Sequence, residues 1–106
     1  MNFETTDLFD KQAKKLSKRY KSLSKDLIAF MDNFEKTHYQ STPIRKNIYK
    51  IRLANSDKNK GKSAGYRIYY YMVLGNRTYL LTIYDKSDME MIDESLLIDI
   101  ILQEIV

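Results

Sequence analysis

Cysteine is absent and histidine occurs once, at His38, so disulfides, thiolate chemistry and mechanisms that need paired imidazoles are ruled out by composition alone. Arginine, lysine, tyrosine and carboxylates must carry whatever chemistry there is. From residue 50 to residue 86 the first three types gather, as Lys50, Arg52, Lys60, Lys62, Arg67, Tyr69, Tyr71, Tyr84 and Lys86. Cations neutralise phosphates and tyrosine rings stack on unpaired bases, which suits single-stranded RNA better than the closed grooves of a duplex. The same composition also fits an ordinary solvated sheet face built from strand-favouring tyrosines.

Three shorter motifs carry less. Gly61-Lys62-Ser63 has the ending of a nucleotide-binding loop, but Ser56 stands where that pattern needs its first glycine, and a strand is predicted where it needs a helix. Asn76-Arg77-Thr78 matches a glycosylation acceptor, yet the chain opens without the charged and apolar regions of a secretory signal, so the triplet is read as a turn. His38 stands alone at the end of a helical segment, where a packing or surface role is expected.

These residues need a scaffold, and a chain of 106 residues affords one core. Residues 1–106 are therefore read as a single domain. No stretch approaches the roughly 20 apolar residues of a membrane span, and a cytoplasmic location is expected. The net charge of +4 is unevenly spread: Lys11, Lys14, Lys15, Lys18, Arg19, Lys21 and Lys25 crowd the first quarter, whereas from residue 88 onward every charged residue is acidic. Such separation favours a surface facing a polyanion.

Phe9, Ala13, Leu16, Tyr20, Leu23, Leu27, Phe30 and Phe34 recur at spacings of three and four, the stripe of an amphipathic helix facing a core. Ser22 and Ser24 suit a helix start better than an interior, which predicts a break there into a helical hairpin. Pro43 ends the helical half. Beyond it the period changes to two, predicting strands near residues 47 to 54, 65 to 74 and 77 to 85. A two-residue turn at Gly75-Asn76, with a positive φ at Gly75, would set Leu74 opposite Arg77, and hence Tyr71 opposite Leu80, Tyr69 opposite Thr82 and Arg67 opposite Tyr84.

In that register Tyr49, Ile51, Leu53, Tyr66, Ile68, Tyr70, Met72, Tyr79, Leu81 and Ile83 form a core face against the helices. Lys50, Arg52, Arg67, Tyr69, Tyr71, Thr82 and Tyr84 form an exposed face, with Lys86 just beyond. Ser87, followed three residues later by Glu90, is a capping-box signal for a last helix. The tail of that helix, residues 96 to 102, is apolar nearly all round, as expected either of a well-buried terminal helix or of one partly covered by a partner protein. With a short opening strand, the expected order is β-α-α-β-β-β-α: an α+β fold with a helical hairpin packed on a small, mainly antiparallel twisted sheet.

Tyr49-Lys50-Ile51-Arg52-Leu53, then Gly61-Lys62-Ser63-Ala64-Gly65-Tyr66-Arg67-Ile68-Tyr69-Tyr70, then Leu81-Thr82-Ile83-Tyr84-Asp85-Lys86-Ser87-Asp88 resemble the RelE/ParE-like toxins of type II toxin-antitoxin systems, particularly the HigB-like branch. The resemblance covers nearly the whole chain. It implies a microbial-RNase-type toxin fold and an endoribonuclease that cuts mRNA in the ribosomal A site without a metal. It also implies an antitoxin partner, expected to carry a helix-turn-helix domain. Ala64 stands where many relatives have glycine, and the segment beyond Lys86 lacks an obvious catalytic histidine.

Carried over residue by residue, the resemblance implies catalytic roles for Arg67, Tyr84 and Lys86, and RNA binding by Lys50, Arg52, Lys60 and Lys62; Tyr69 and Tyr71 are expected to join in RNA binding from their place on the exposed face. Cleavage in the family proceeds by attack of a ribose 2′-hydroxyl on the adjacent phosphate, which needs a base, charge stabilisation and protonation of the leaving 5′-oxygen. Arg67 would clamp the phosphate with its fork, and Tyr84 would act as base or orienting group. Lys86, Lys62 or Arg52 would neutralise charge or assist the leaving group. Two other expectations remain open: a ParE-like toxin that inhibits DNA gyrase without cutting RNA, and an inactive relative that only binds antitoxin or RNA.

Overall fold

Thr6 ends the first strand and starts the first helix, and a single side chain does both. Its hydroxyl accepts from the Phe9 amide at 3.0 Å and donates to the Leu81 carbonyl at 2.8 Å, so the N-cap is also a bolt to a distant strand. In this computed structural model, which describes residues 2–73, 76–89 and 91–106, strand β1 spans Asn2–Thr5 and helix α1 spans Asp7–Arg19. Asp7 and Asp10 in the first turn and Lys18 and Arg19 in the last complement the helix dipole. The predicted break falls at Ser22, before α2, Leu23–Asp32. Ser22 makes no cap of its own; Asp57, from a loop far along the chain, accepts from its amide at 2.9 Å and its hydroxyl at 3.0 Å.

A one-turn helix α3, Phe34–His38, and an edge strand β2, Thr42–Arg45, follow. Neither was expected. Pro43 does not merely end the helices; it sits inside β2, where an edge strand tolerates the missing N–H. Strands β3, Ile48–Leu53, β4, Tyr66–Val73, and β5, Arg77–Asp85, match the predicted ones closely. They form a five-stranded mixed sheet in the order β1-β5-β4-β3-β2, with β1 parallel to β5 and the other pairings antiparallel. Helix α4, Glu94–Glu104, closes the chain. No described helix is long and apolar enough to cross a membrane.

Two sequence expectations need correction. Ser87 does not cap the last helix, because its amide and hydroxyl are both taken by Asp85; Asp93 is the cap, accepting from the Ser95 amide at 3.0 Å. Glu90, the other half of the expected capping box, lies outside the described residues, as does Gly75 with its expected positive φ. The described Asn76 has φ 67°.

The second correction concerns register. Arg67 lies opposite Tyr84 and Tyr69 opposite Thr82 as predicted, but Tyr71 pairs with Tyr79, not Leu80, and Val73 with Arg77. A β-bulge leaves Leu81 without a partner on β4 and flips the faces of β5 above it. Leu80 thereby joins the core under α1 and α2, while Tyr79 and Leu81 turn to the opposite face. The bulge is held from outside the sheet, where Thr6 bonds the Leu80 and Leu81 carbonyls and the Gln12 Oε1 atom accepts from the Ile83 amide at 3.0 Å.

Two cores result. The helix stripe from Phe9 to Phe34 packs with Ile51, Tyr66, Ile68, Tyr70, Leu80 and Ile83 on one face. On the other, α4 lays Leu97, Ile100 and Ile101 over Ile48, Tyr69, Leu81 and Tyr84. The terminal helix is thus buried along one side, and Leu96 and Leu102 are left exposed along the other.

Candidate nucleic-acid interface

Antiparallel pairing sets Arg52 of β3, Arg67 of β4 and Tyr84 of β5 side by side across three strands. Neighbours across strands are about 5 Å apart, so the row spans about 10 Å, the scale of one phosphate with its flanking riboses. The next row is Lys50, Tyr69 and Thr82, and the Lys50 ammonium lies 5.7 Å from the centre of the Tyr69 ring. The structure therefore brings together most of the residues singled out from sequence. It also changes their state.

The face predicted to be exposed is largely covered. Tyr69 and Tyr84 are 3% and 5% exposed under α4, and Arg67 is 3% exposed. The helix occupies the ring faces that would have stacked on bases, because an apolar stripe of Leu97, Ile100 and Ile101 gains more from those rings than from water. Tyr71 is half-buried in the same core and stands four residues from Arg67, on the order of 13 Å along the strand. The stacking platform expected from Tyr69 and Tyr71 is therefore absent from this arrangement.

Arg67 is engaged from above by the segment around Gly61-Lys62-Ser63. Lys62–Ala64 forms a single 3₁₀ turn, not an α-helix, and Gly61 before it has φ 81°. Nη2 of Arg67 donates to the Ser63 carbonyl at 2.8 Å, and Nη1 lies 3.1 Å from the Lys62 carbonyl and 3.2 Å from that of Tyr66. A phosphate cradle presents amides; this turn presents carbonyls to a cation. Burial first, and the Arg52 charge second, lower the pKa of Arg67, though a guanidinium stays protonated at physiological pH.

Gly65 lets that turn meet the sheet, since a Cβ there would stand 2.1 Å from the Leu53 carbonyl oxygen. Beside it the Lys86 amide donates to the Gly65 carbonyl at 3.0 Å, which places the exposed Lys86 next to the turn. Below lies a buried brace that the sequence did not disclose. Asp85 accepts from Lys58 Nζ at 2.5 Å, from Asn55 at 3.3 Å and from Ser87. Burial opposes ionisation of Asp85, but the bonds from Lys58, Ser87 and Asn55 outweigh it and hold the carboxyl below its ordinary range. Lys58 is thus an internal partner of Asp85 and not part of the open cationic surface.

The open cationic surface is what remains. Arg52 and Lys62 are exposed, Lys50 is half-buried, and with Gln40, Thr42 and Ile44 they line a groove between β2 and the start of the 3₁₀ turn. Lys62 reaches across it, its Nζ 2.7 Å from Gln40 Oε1. Lys60 is exposed, and among the described residues no hydrogen bond or ion pair ties it to this groove. Neither Arg52 nor Arg67 has a carboxylate within ion-pair distance among the described residues. His38, as expected, is a packing residue: its Nδ1 lies 2.7 Å from the Tyr70 hydroxyl, and its ring stacks on Phe34.

Sequence reasoning missed Thr42 and Ile44, which β2 supplies, and Gln40 from the turn before it. The alternation of Thr42 and Ile44 about a proline was the available signal, because proline inside a strand pattern marks an edge. Comparison of the chain with models of protein families gives no match, and comparison with curated proteins gives none either.

Proposed function

We propose that this chain is the toxin of a type II toxin-antitoxin pair, an endoribonuclease that cuts mRNA in the ribosomal A site by metal-independent attack of the 2′-hydroxyl. One observation carries the reading. Arg52 and Arg67 are direct cross-strand neighbours with no carboxylate within ion-pair distance among the described residues, although Asp85 acts on Arg67 from further away. Like charges opposite one another destabilise a sheet, so the pair is a local cost that a bound phosphate removes. The likeness of the three sequence blocks to RelE/ParE-like toxins, and a fold of the expected α+β class, support the same reading.

In this proposal Arg52 and Lys62 make first contact with the strand, and Arg67 adds positive charge from beneath. The 2′-hydroxyl loses its proton to a base as its oxygen attacks phosphorus, the bond to the 5′-oxygen breaks, and that oxygen takes up a proton. Tyr84, next to Arg67 in the row, is the proposed base or orienting group, and Lys86 is placed to assist the leaving oxygen. Tyr84 is covered in the free protein, so the proposed reaction requires local opening beside α4. A helix-turn-helix antitoxin would silence the protein by occupying the cationic groove.

The test is toeprinting on translating ribosomes with the purified protein. Breaks within the A-site codon, lost with Arg52→Ala and with Tyr84→Phe, are the expected result. Intact message together with inhibited gyrase supercoiling would replace this proposal with the ParE-like one, and neutral growth on expression would favour an inactive binding relative.

A further inference from the structure

Lys86 is exposed, and its ammonium makes no hydrogen bond or ion pair among the described residues, so its backbone decides where that charge can reach. The backbone is held at both ends. The Lys86 amide donates to the Gly65 carbonyl at 3.0 Å, and the Asp88 amide closes a turn onto the Asp85 carbonyl at 2.9 Å. Inside that turn the Asp85 carboxylate reaches past Lys86 to accept from the Ser87 amide at 3.0 Å and from the Ser87 hydroxyl.

The carboxylate is itself fixed from behind. Asp85 is fully buried, and the Lys58 ammonium lies 2.5 Å from it while donating at 3.2 Å to the Ala64 carbonyl. Ala64 belongs to the 3₁₀ turn whose Lys62 and Ser63 carbonyls hold Arg67. One ammonium therefore ties the end of β5, which carries Lys86, to the turn that seats Arg67. Lys58 is anchored in its own loop, since its amide donates to the Asn55 carbonyl at 3.0 Å and the Asn55 side chain returns to Asp85 at 3.3 Å. Between the two arms lies a cavity of about 290 Å³, lined by Lys58, Ser63, Ala64, Lys86 and Ser87. A largely buried ion pair is a weak source of stability, because desolvation offsets most of the attraction. Its contribution here is geometric: an ammonium with two directed acceptors holds two segments where an apolar contact would let them slide.

We infer that Lys58 and Asp85 are positioning residues for the proposed cleavage, holding Lys86 at a fixed place relative to Arg67 so that its ammonium meets the leaving 5′-oxygen. The inference rests on the proposed ribonuclease role and adds to it what holds the leaving-group residue in place. Lys58 and Asp85 exchange no proton in the reaction. The base takes the proton of the 2′-hydroxyl, and Lys86 gives one to the 5′-oxygen as its bond to phosphorus breaks.

Single-turnover cleavage on ribosomes programmed with a defined message tests it. The double variant Lys58→Met, Asp85→Asn removes the pair without leaving a buried charge unpaired. Its maximal rate is expected to fall about 100-fold, the effect of misplacing a catalytic group by about 1 Å, while the half-saturating protein concentration stays within about twofold. Lys86→Ala alone is expected to cost about 100-fold as well, and adding it to the double variant lowers the rate little further, because an ammonium already out of place has little left to contribute. Ser87→Ala, at an exposed site, loosens the same turn with the ion pair intact and keeps the test open if the double variant does not fold. It is expected to slow cleavage about fivefold, the value of one hydrogen bond, and to have no effect in a Lys86→Ala background. Wild-type rates in the variants that fold, or losses that multiply with that of Lys86→Ala, overturn the positioning role and leave the ribonuclease standing. A wild-type protein that cuts no message overturns both.

Discussion

Beneath α1 to α3, Phe30, Phe34, Tyr49 and Tyr70 interlock, with Phe34 edge-on to Tyr70 at 5.1 Å and Tyr49 stacked on it at 5.5 Å. On the opposite face of the same strands, α4 covers Tyr69 and Tyr84 and leaves Arg52 in solvent beside Arg67. The first face resolves nearly every group it buries, apart from the Tyr66 hydroxyl, which has no partner among the described residues. The second retains two neighbouring arginines, Arg52 and Arg67, with no carboxylate within ion-pair distance among the described residues. The sheet is thus well satisfied on one side and carries unneutralised cationic charge on the other, and the first side is expected to dominate its stability.

Truncating each core measures this division. Phe30→Ala, at a site 2% exposed, is expected to cost about 3–5 kcal/mol in urea unfolding. Leu97→Ala under α4 is expected in the lower half of the 2–5 kcal/mol typical of leucine truncation, about 2–3 kcal/mol, because a helix packed along one side can relax onto the gap. Equal losses would mean that α4 is as integral to the fold as the helical hairpin.

The seam between the two regions comes next. Gly65→Ala drives a methyl into the Leu53 carbonyl and is expected to cost about 1–3 kcal/mol by thermal unfolding, with loss of oligonucleotide binding as the turn lifts from Arg67. Asp85 gives the seam a pH signature. Its folded pKa is depressed, so the stabilisation is complete above the unfolded value near 4, begins to fade as pH drops past it, and is lost as pH falls through the folded value. Asp85→Asn should flatten that acid limb of a melting-temperature profile; an unchanged limb would show that the brace contributes little.

The smallest change in stability is expected to carry the largest change in function. Arg52→Ala removes a like-charge neighbour and should leave stability unchanged or raise it by up to about 1 kcal/mol, while weakening RNA binding. Arg67→Ala strips the Lys62, Ser63 and Tyr66 carbonyls of their donor and should cost about 1–3 kcal/mol. A destabilised Arg52→Ala protein would mean that the row is structural on both strands. At the alkaline end, burial pushes the Tyr70 hydroxyl up to about 12. The stability it adds is intact below the unfolded value near 10 and is lost as pH rises through about 12, so Tyr70→Phe should blunt the alkaline limb of the same profile.

Much of the fold was legible because its signals are local and periodic. The stripe from Phe9 to Phe34, the break at Ser22 and the three long strands all follow from side-chain spacing, whereas the Arg67–Tyr84 and Tyr69–Thr82 pairings match the expectation because the bulge offsets the one-residue shift that pairs Val73, not Leu74, with Arg77. The register above them did not, since a bulge costs a single residue and leaves no mark in the alternation of Tyr79, Leu80, Leu81 and Thr82. The fate of the tyrosines was also hidden: whether Tyr69 faces water depends on where α4 lands, and α4 lies some thirty residues further along the chain.

By itself, then, the sequence determined the chemistry on offer, arginine, lysine and tyrosine on three strands, while the pairing of Arg52 with Arg67 and the bulge that keeps Arg67 opposite Tyr84 came from the folded sheet. Tertiary structure decided which of these reach solvent. Exposure is a property of what packs above a residue, and the lid here comes from long-range burial of α4 and from a 3₁₀ turn whose carbonyls close on Arg67. The same docking leaves the open cationic groove toward the edge of the sheet, where β2 adds Thr42, and the turn before it Gln40, to cations already visible in the sequence.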